Sequence, residues 1–303
     1  MSRIFDALQR SGTEQTGVEY PDMVAVATEV FEAPKDELST ERVRRGPAVA
    51  MQTSTIHSEV HEERDFGAPT EFPSLEVAVT PSSRLVFLSE PDSLAAEKFR
   101  FLGVRLRQLR QTRPLKKVLI TSTIPEEGKS LVSANLAGVL AQRRHKVLLI
   151  EGDLRRPVLA QRFGLEKLAG LGEWLQSGEQ AVSNIYRLEG PGFWLMPAGV
   201  PPTNPLELMQ SGRLSHLMGQ LAMMFDWIIV DSPPLLPLAD TTVWARLTDG
   251  TLLVAREGKT EKTQLQQGLD SLKKSDLLGV VLNGSTSSDH KNYYQRYSPS
   301  ATK

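Results

Sequence analysis

Short apolar runs alternating with helical stretches constrain this chain more than any other feature. Lys117 to Ser122, Val147–Ile150, Trp227–Val230, Thr251–Ala255 and Gly279–Leu282 are runs of strand length with almost no polar interruption. Between them Ser130–Arg144, Leu214–Met224 and Glu261–Lys274 carry apolar residues at helical spacing. Runs of that kind are strands buried on both faces, and the intervening helices are crossovers that cover those faces. The pattern predicts an α/β fold, a doubly wound, mostly parallel sheet with helices on both faces. A further helix is expected from Asp92 to Gln111, with Leu94, Phe99, Leu102, Leu106 and Leu109 on its apolar side. Arg100, Arg105, Arg107 and Arg110 decorate the rest of it as a solvated face.

The N-terminal part reads differently. Ser2 caps an expected short amphipathic helix over residues 1–10, with Ile4, Phe5 and Leu8 on one side. After it, prolines recur at Pro21, Pro34, Pro47, Pro69, Pro73 and Pro81 among Thr, Ser and Glu, with few large apolar residues. Such sequence buries too little surface to offset its ordering entropy. The expected organisation is therefore a disordered linker over 11–84, one domain over 85–285 and a tail over 286–303.

The bulk chemistry removes several function classes. A formal net charge of −1 over 303 residues supplies no broad positive field for nucleic acid. With no cysteine, disulfides, thiolate metal sites and cysteine nucleophiles are excluded. His57 and His61 have the i, i+4 spacing of a zinc helix, but Ser58 stands where the catalytic glutamate would follow. No apolar run approaches the roughly 18 residues that span a bilayer, and the N-terminus does not read as a secretory signal. A cytoplasmic protein is expected.

The strongest local signal is Thr123-Ile-Pro-Glu-Glu-Gly128-Lys129-Ser130, between the first strand and its helix. A phosphate site needs backbone N–H groups converging at a helix N-terminus, where the dipole is positive. It also needs a lysine on the β/γ-phosphates and a hydroxyl on magnesium. Gly128, Lys129 and Ser130 supply these in order, although Thr123 occupies the place of the first glycine. Two strands then end on acids: Val147-Leu-Leu-Ile150 runs into Glu151-Gly152-Asp153-Leu154-Arg155, and Trp227-Ile-Ile-Val230 into Asp231-Ser-Pro-Pro. Strand C-termini gather at the ligand crevice of a doubly wound sheet, where carboxylates hold Mg2+ through its waters.

With these elements in place, the chain resembles the bacterial tyrosine kinases (BY-kinases) of capsule and exopolysaccharide assembly, within the deviant-Walker P-loop group of MinD and ParA. The resemblance runs from about Pro91 to Gly284. It rests on Pro125-Glu-Glu-Gly-Lys-Ser130, Leu148-Leu-Ile-Glu-Gly-Asp-Leu-Arg-Arg-Pro157, Pro197-Ala-Gly-Val-Pro-Pro-Thr-Asn-Pro205 and Phe225-Asp-Trp-Ile-Ile-Val-Asp-Ser-Pro-Pro234. It implies ATP and Mg2+ as ligands and a P-loop NTPase type of fold. It implies further that Glu127, Gly128, Lys129, Ser130 and Leu131 cradle the phosphates, that Arg155 and Asn283 reach the nucleotide, Asn283 at the adenine, and that Ser130, Asp153 and Asp231 hold the metal. Lys129, Glu151, Asp153 and Asp231 form the implied catalytic set, with Glu151 deprotonating the incoming tyrosine.

Some positions depart from the family pattern. Glu151 stands in place of the usual aspartate and is one methylene longer. Glu126 replaces a common glycine and is expected to bring negative charge close to the phosphates. Of the family's oligomerising Glu-x-x-Arg-x-x-Arg helix, Glu97 and Arg100 fit, Gly103 takes the third place, and Arg105 falls two residues later. The family substrate is its own tail, which here offers Tyr293, Tyr294 and Tyr297 as acceptors, three of the five tyrosines. Family versions without a membrane span are activated by a separate membrane polysaccharide co-polymerase, a chain-length regulator. That implies a homo-oligomer held at the inner face of the plasma membrane through this partner. Two alternatives stay open: an ATP-loaded regulatory subunit impaired as a kinase by Glu126 and Glu151, and a MinD/ParA-like positioning ATPase. Against the last, Ser122 and Thr123 stand where those ATPases carry a second lysine.

Overall fold

The structure, a computed structural model, describes residues 72–285 apart from 78, 81, 82, 179–181, 237 and 273–276. The expected helix over 1–10, most of the linker, His57 and His61, and the tail with Tyr293, Tyr294 and Tyr297 lie outside the described residues.

Eight strands form one sheet: β1 (Ser74–Glu76), β2 (Lys117–Ser122), β3 (Val147–Glu151), β4 (Tyr186–Glu189), β5 (Phe193–Met196), β6 (Trp227–Asp231), β7 (Gly250–Arg256) and β8 (Leu277–Asn283). Their order across the sheet is β1-β4-β5-β3-β6-β2-β7-β8. From β5 to β8 every pairing is parallel. The hairpin β4–β5 is antiparallel, and β1 pairs parallel to β4 at the edge. Nine helices are described: α1 (Val86–Ser89), α2 (Leu94–Thr112), α3 (Lys129–Ala141), α4 (Leu159–Arg162), α5 (Leu171–Ser177), α6 (Pro205–Gln210), α7 (Arg213–Met224), α8 (Asp240–Leu247) and α9 (Lys262–Ser271).

The period of two along each strand divides the core between the two faces. Val118 and Ile120 of β2, with Trp227 and Ile229 of β6, join α2 and α3 residues such as Leu106, Leu136 and Leu140. Leu119, Ile228 and Val230 point the other way, into a core with Trp174, Leu217 and Trp244 from α5, α7 and α8. Both faces are thus covered, as the unbroken apolar runs require.

The five expected strands and their helices are present, with ends shifted by a few residues. Ser93 caps α2 by accepting the Ala96 N–H at 3.1 Å. The expected linker over 11–84 includes Ser74–Glu76, which is strand β1. Three residues give no legible alternation, but their backbone completes the exposed edge of β4, with Leu75 packed on the core. The hairpin β4–β5 was likewise not expected. Arg110 is also not merely solvated: its guanidinium lies 4.9 Å from the Trp227 ring and donates to the Asp226 carbonyl at 3.1 Å. No described helix is long and apolar enough to cross a membrane.

Candidate functional site

The loop from β2 to α3 brings the expected residues together at the C-terminal end of the sheet. Gly128 caps α3 in the left-handed region, at φ 98° and ψ 20°. Val132 N–H is the first to reach an acceptor along the helix, the Gly128 carbonyl at 3.0 Å. The amides of Lys129, Ser130 and Leu131 precede it and have no intrahelical acceptor, which is the arrangement that binds phosphate.

Lys129 Nζ lies 3.3 Å from Asp153 Oδ2, beyond the end of β3. Asp231, the last residue of β6, is fully buried. Its Oδ1 accepts from Ser133 Oγ at 3.2 Å, while its Oδ2 has no hydrogen-bond partner. Burial raises the Asp231 pKa above the usual carboxylate range; the Lys129 charge and the Ser130 hydroxyl pull it back only in part. A buried carboxylate oxygen without a partner is costly, and a hydrated cation beside it would remove that cost. Asp231, Asp153 and Ser130 therefore fit Mg2+. No group of three or more His, Asp or Glu among the described residues could hold a metal alone. Mg2+ keeps waters and takes one or two carboxylates plus phosphate oxygens, and Asp231 and Asp153 are the carboxylates at this site.

Several residues expected on the nucleotide also act as braces. Glu127 is buried, and its carboxylate accepts the Ile124 N–H at 2.9 Å and the Thr260 hydroxyl. It fastens the P-loop to itself and to the β7–α9 turn. Asn283, the last residue of β8, donates Nδ2 to the Glu127 carbonyl at 2.9 Å and so holds the loop backbone. Arg155 makes a two-pronged pair with Asp240 at 2.7 and 3.1 Å, and that hydrogen-bonded carboxylate raises its pKa. Leu131 is half-buried on the first turn of α3, and its carbonyl accepts from Asn135 Nδ2 at 2.9 Å.

Two departures from the family pattern find physical explanations. Glu126 has φ 64°, a conformation that favours glycine. Its carboxylate turns outward to Lys259 Nζ at 2.6 Å, and that hydrogen bond and charge lower its pKa. The charge expected to burden the phosphates is thus directed away and paired. Glu151 is buried, and both its oxygens accept backbone N–H groups: Val158 and Leu159 on Oε1, Ala198 on Oε2 at 3.1 Å. Burial raises its pKa and these amides oppose the rise. The longer side chain thus ties the turn after β3 to the loop after β5.

Sequence reasoning missed two further supports. Gly152 passes so close to the Trp244 ring that a Cβ would stand 2.8 Å from it, and its carbonyl accepts the indole N–H at 3.1 Å. The loop after β6 is laced to β2 and the P-loop through Leu235 N–H on the Ser122 carbonyl at 2.8 Å and Leu236 N–H on Thr123 at 3.1 Å. The indole of Trp244 was a legible candidate for such a partner-seeking donor.

Fold and site together define a P-loop nucleotide-binding protein, and residues 118–298 match the CobQ/CobB/MinD/ParA nucleotide binding domain family. Within that group the relatives are kinases. The chain is 39% identical over 216 residues to the tyrosine-protein kinase YwqD of Bacillus subtilis, covering 69% of this chain and 89% of the relative. It is 33% identical over 201 residues to the tyrosine-protein kinase ptk of Acinetobacter johnsonii, 66% of this chain but 27% of that much longer relative. Among solved structures, the kinase domain of Escherichia coli tyrosine kinase ETK superposes with a TM-score of 0.64 at 31% identity, covering 67% of this chain and 82% of that one. The chain belongs to the bacterial tyrosine-protein kinase family.

Proposed function

We propose that this protein is an ATP-dependent tyrosine autokinase that phosphorylates Tyr293, Tyr294 or Tyr297 and regulates exopolysaccharide or capsule assembly. The observation that carries the catalytic part is the buried Asp231 with one unpartnered oxygen, beside Lys129 and Ser130 at a helix N-terminus. Bound Mg2+ would neutralise charge on the transferring phosphoryl group, with Ser130, Asp153 and Asp231 holding it. Lys129, 3.3 Å from Asp153, is placed to exchange that partner for phosphate oxygens. The amides of Lys129, Ser130 and Leu131 orient the phosphates. Positioning and charge neutralisation carry most of such catalysis, so the reading assigns Glu151 the bracing role and requires no strong base from it.

The polysaccharide context, the membrane chain-length regulator as activator and a place at the inner face of the plasma membrane come from the family resemblance. Self-association through α2 is supported by Phe101 and Val104, 58% and 37% exposed. Glu97 and Arg100 pair on the same helix. Gly103 cannot serve as the missing arginine, because it packs on α3, where a Cβ would lie 3.2 Å from Val139.

The test uses purified full-length protein with Mg-ATP, with and without the cytoplasmic fragment of its membrane partner, and maps phosphotyrosine by mass spectrometry. Replacing Tyr293, Tyr294 and Tyr297 with Phe should remove the label and leave nucleotide binding unchanged. Lys129→Met should remove nucleotide binding from a folded protein. A triple Phe variant labelled as strongly as wild type would show that the tail is not the substrate. No label in either protein with the partner present would favour the regulatory reading.

A further inference from the structure

The N-terminal end of the sheet, opposite the nucleotide site, concentrates positive charge. Lys116 precedes and Lys117 begins β2, and Lys146 precedes β3; Arg110 and Arg113 end the α2 region above them. Arg110, Arg113 and Lys116 line an open cavity of about 470 Å3 with Asp249. Arg143, Arg144 and His145 extend the same surface from the turn after α3, facing Arg107. Burial and the nearby Arg143 charge lower the Arg107 pKa, and burial lowers that of His145 against the opposing pull of Asp226, with Arg110, Arg107 and Arg143 adding to the fall.

Two carboxylates stand among these cations, fewer than the cations, and each is engaged both with backbone and with one cation: Asp249 with Lys117 Nζ at 3.4 Å and Asp226 with His145 Nδ1 at 3.9 Å. Asp249 accepts the Lys116 and Lys117 N–H groups at 2.8 and 2.7 Å, and Asp226 accepts that of Lys146 at 2.8 Å. Arg144 adds an independent sign that charge is kept here against a cost. It has φ 62° in the turn that ends α3, a place where glycine is the usual solution. An arginine there carries left-handed backbone strain of about 1 kcal/mol.

A chain of net charge −1 with such a surface must carry its negative charge elsewhere. Between Glu14 and Glu41 the sequence holds eight carboxylates, Glu14, Glu19, Asp22, Glu29, Glu32, Asp36, Glu37 and Glu41, against the single Lys35. Val18, Tyr20, Val24, Val30 and Phe31 are interspersed among them.

We propose that the basic N-terminal end of the sheet is the docking surface for this chain's own acidic stretch, Glu14 to Glu41. The charges are complementary, and the stretch is covalently attached. The 30 residues from Arg42 to Glu71 can cover up to about 100 Å, whereas a domain of this size has a radius of gyration of about 17 Å. The linkage makes docking intramolecular, at an effective concentration on the order of millimolar. The inference is independent of the kinase reading.

Full-length protein treated with a zero-length carbodiimide, which joins lysine amines to carboxylates, tests it. The expected cross-links run from Lys116, Lys117 or Lys146 to carboxylates between Glu14 and Glu41. In a mixture of isotope-labelled and unlabelled protein they should form within single chains. Their yield should fall about tenfold at about 1 M salt, where the screening length is about 3 Å. It should fall as far in the triple variant Arg107→Glu, Arg143→Glu, Arg144→Glu. A second variant, with all eight carboxylates of the stretch changed to amides, leaves the domain untouched. There the three lysines should acetylate several-fold faster than in wild type. Absence of these cross-links at low salt overturns the proposal, as does their persistence in a folded triple variant. Cross-links found only between differently labelled chains assign the surface to a second copy and overturn it too. Binding of phosphatidylglycerol vesicles through the same arginines, with lysine acetylation unchanged in the amide variant, assigns the surface to an anionic membrane instead.

Discussion

Gly128→Ala tests the architecture of the P-loop through two separable effects. At φ 98° an alanine sits in left-handed backbone, at a cost of about 1–2 kcal/mol. Its Cβ would also stand 2.0 Å from Asn283 Nδ2, so Asn283 must turn away. That movement gives up the 2.9 Å hydrogen bond to the Glu127 carbonyl, worth about 1 kcal/mol. The single variant should therefore lose about 2–3 kcal/mol, a fall in Tm of roughly 4–12 °C at about 2–4 °C per kcal/mol. Asn283→Ala removes the hydrogen bond alone and should cost about 1 kcal/mol. In the double variant the obstruction is gone and the same hydrogen bond cannot be lost twice. The double should thus cost no more than Gly128→Ala by itself, about 1 kcal/mol less than the sum of the singles. Thermal unfolding without nucleotide supplies the stabilities. Titration with a fluorescent ATP analogue should show that Gly128→Ala also weakens binding, because the amide cradle shifts. A Gly128→Ala protein within about 1 °C of wild type, or a double variant that loses the full sum, would refute this account of the loop.

Glu126→Gly should relieve the left-handed backbone and raise stability by about 0.5–1 kcal/mol; since the carboxylate already faces Lys259, ATP titration should show unchanged affinity. Glu151→Gln places an NH2 donor among backbone donors and should cost about 2–4 kcal/mol in urea unfolding; unchanged stability with lost phosphorylation would restore the base role. The Asp231 pKa is raised on folding, so the native state keeps its proton to higher pH than the unfolded chain. Its contribution to nucleotide-free stability must fall as pH rises from the ordinary carboxylate range, about 4, through the raised value. Asp231→Asn should cancel that fall, read as the difference between the Tm–pH profiles of the two proteins, and should also weaken Mg-dependent nucleotide binding.

The legibility of this chain follows from where each signal resides. Strands β2, β3, β6 and β7 are buried on both faces and β8 is half-buried at the sheet edge, yet all five are written in consecutive apolar residues. The edge strand β1, Ser-Leu-Glu, lacks that signature; β5, Phe-Trp-Leu-Met, carries it over only four residues directly after the turn at 190–192, too short a run to stand out from its loops. The places of Asp153 and Asp231 were legible because they follow strand ends, and that of Lys129 because it opens a helix just after a strand, whatever the side-chain details. The directions taken by Glu126 and Glu127 were not, since Lys259 and Thr260 lie 133 residues away in sequence. Glu151 was read by analogy with aspartate; one added methylene lets it reach amides on two loops.

The strand order has a consequence for how the site comes into being. Strand β2, which carries the P-loop, lies between β6 and β7, and its Lys117 is in register with Ile228 and its Val118 with Gly250. A ribosome adding about 5–20 residues per second completes β7 some 6–25 s after Lys129. Until β6 is made, about 5–20 s after Lys129, the P-loop strand has neither neighbour, and the Thr260 brace follows only after β7. The finished site therefore forms only late in synthesis, after both neighbours of the P-loop strand have been added.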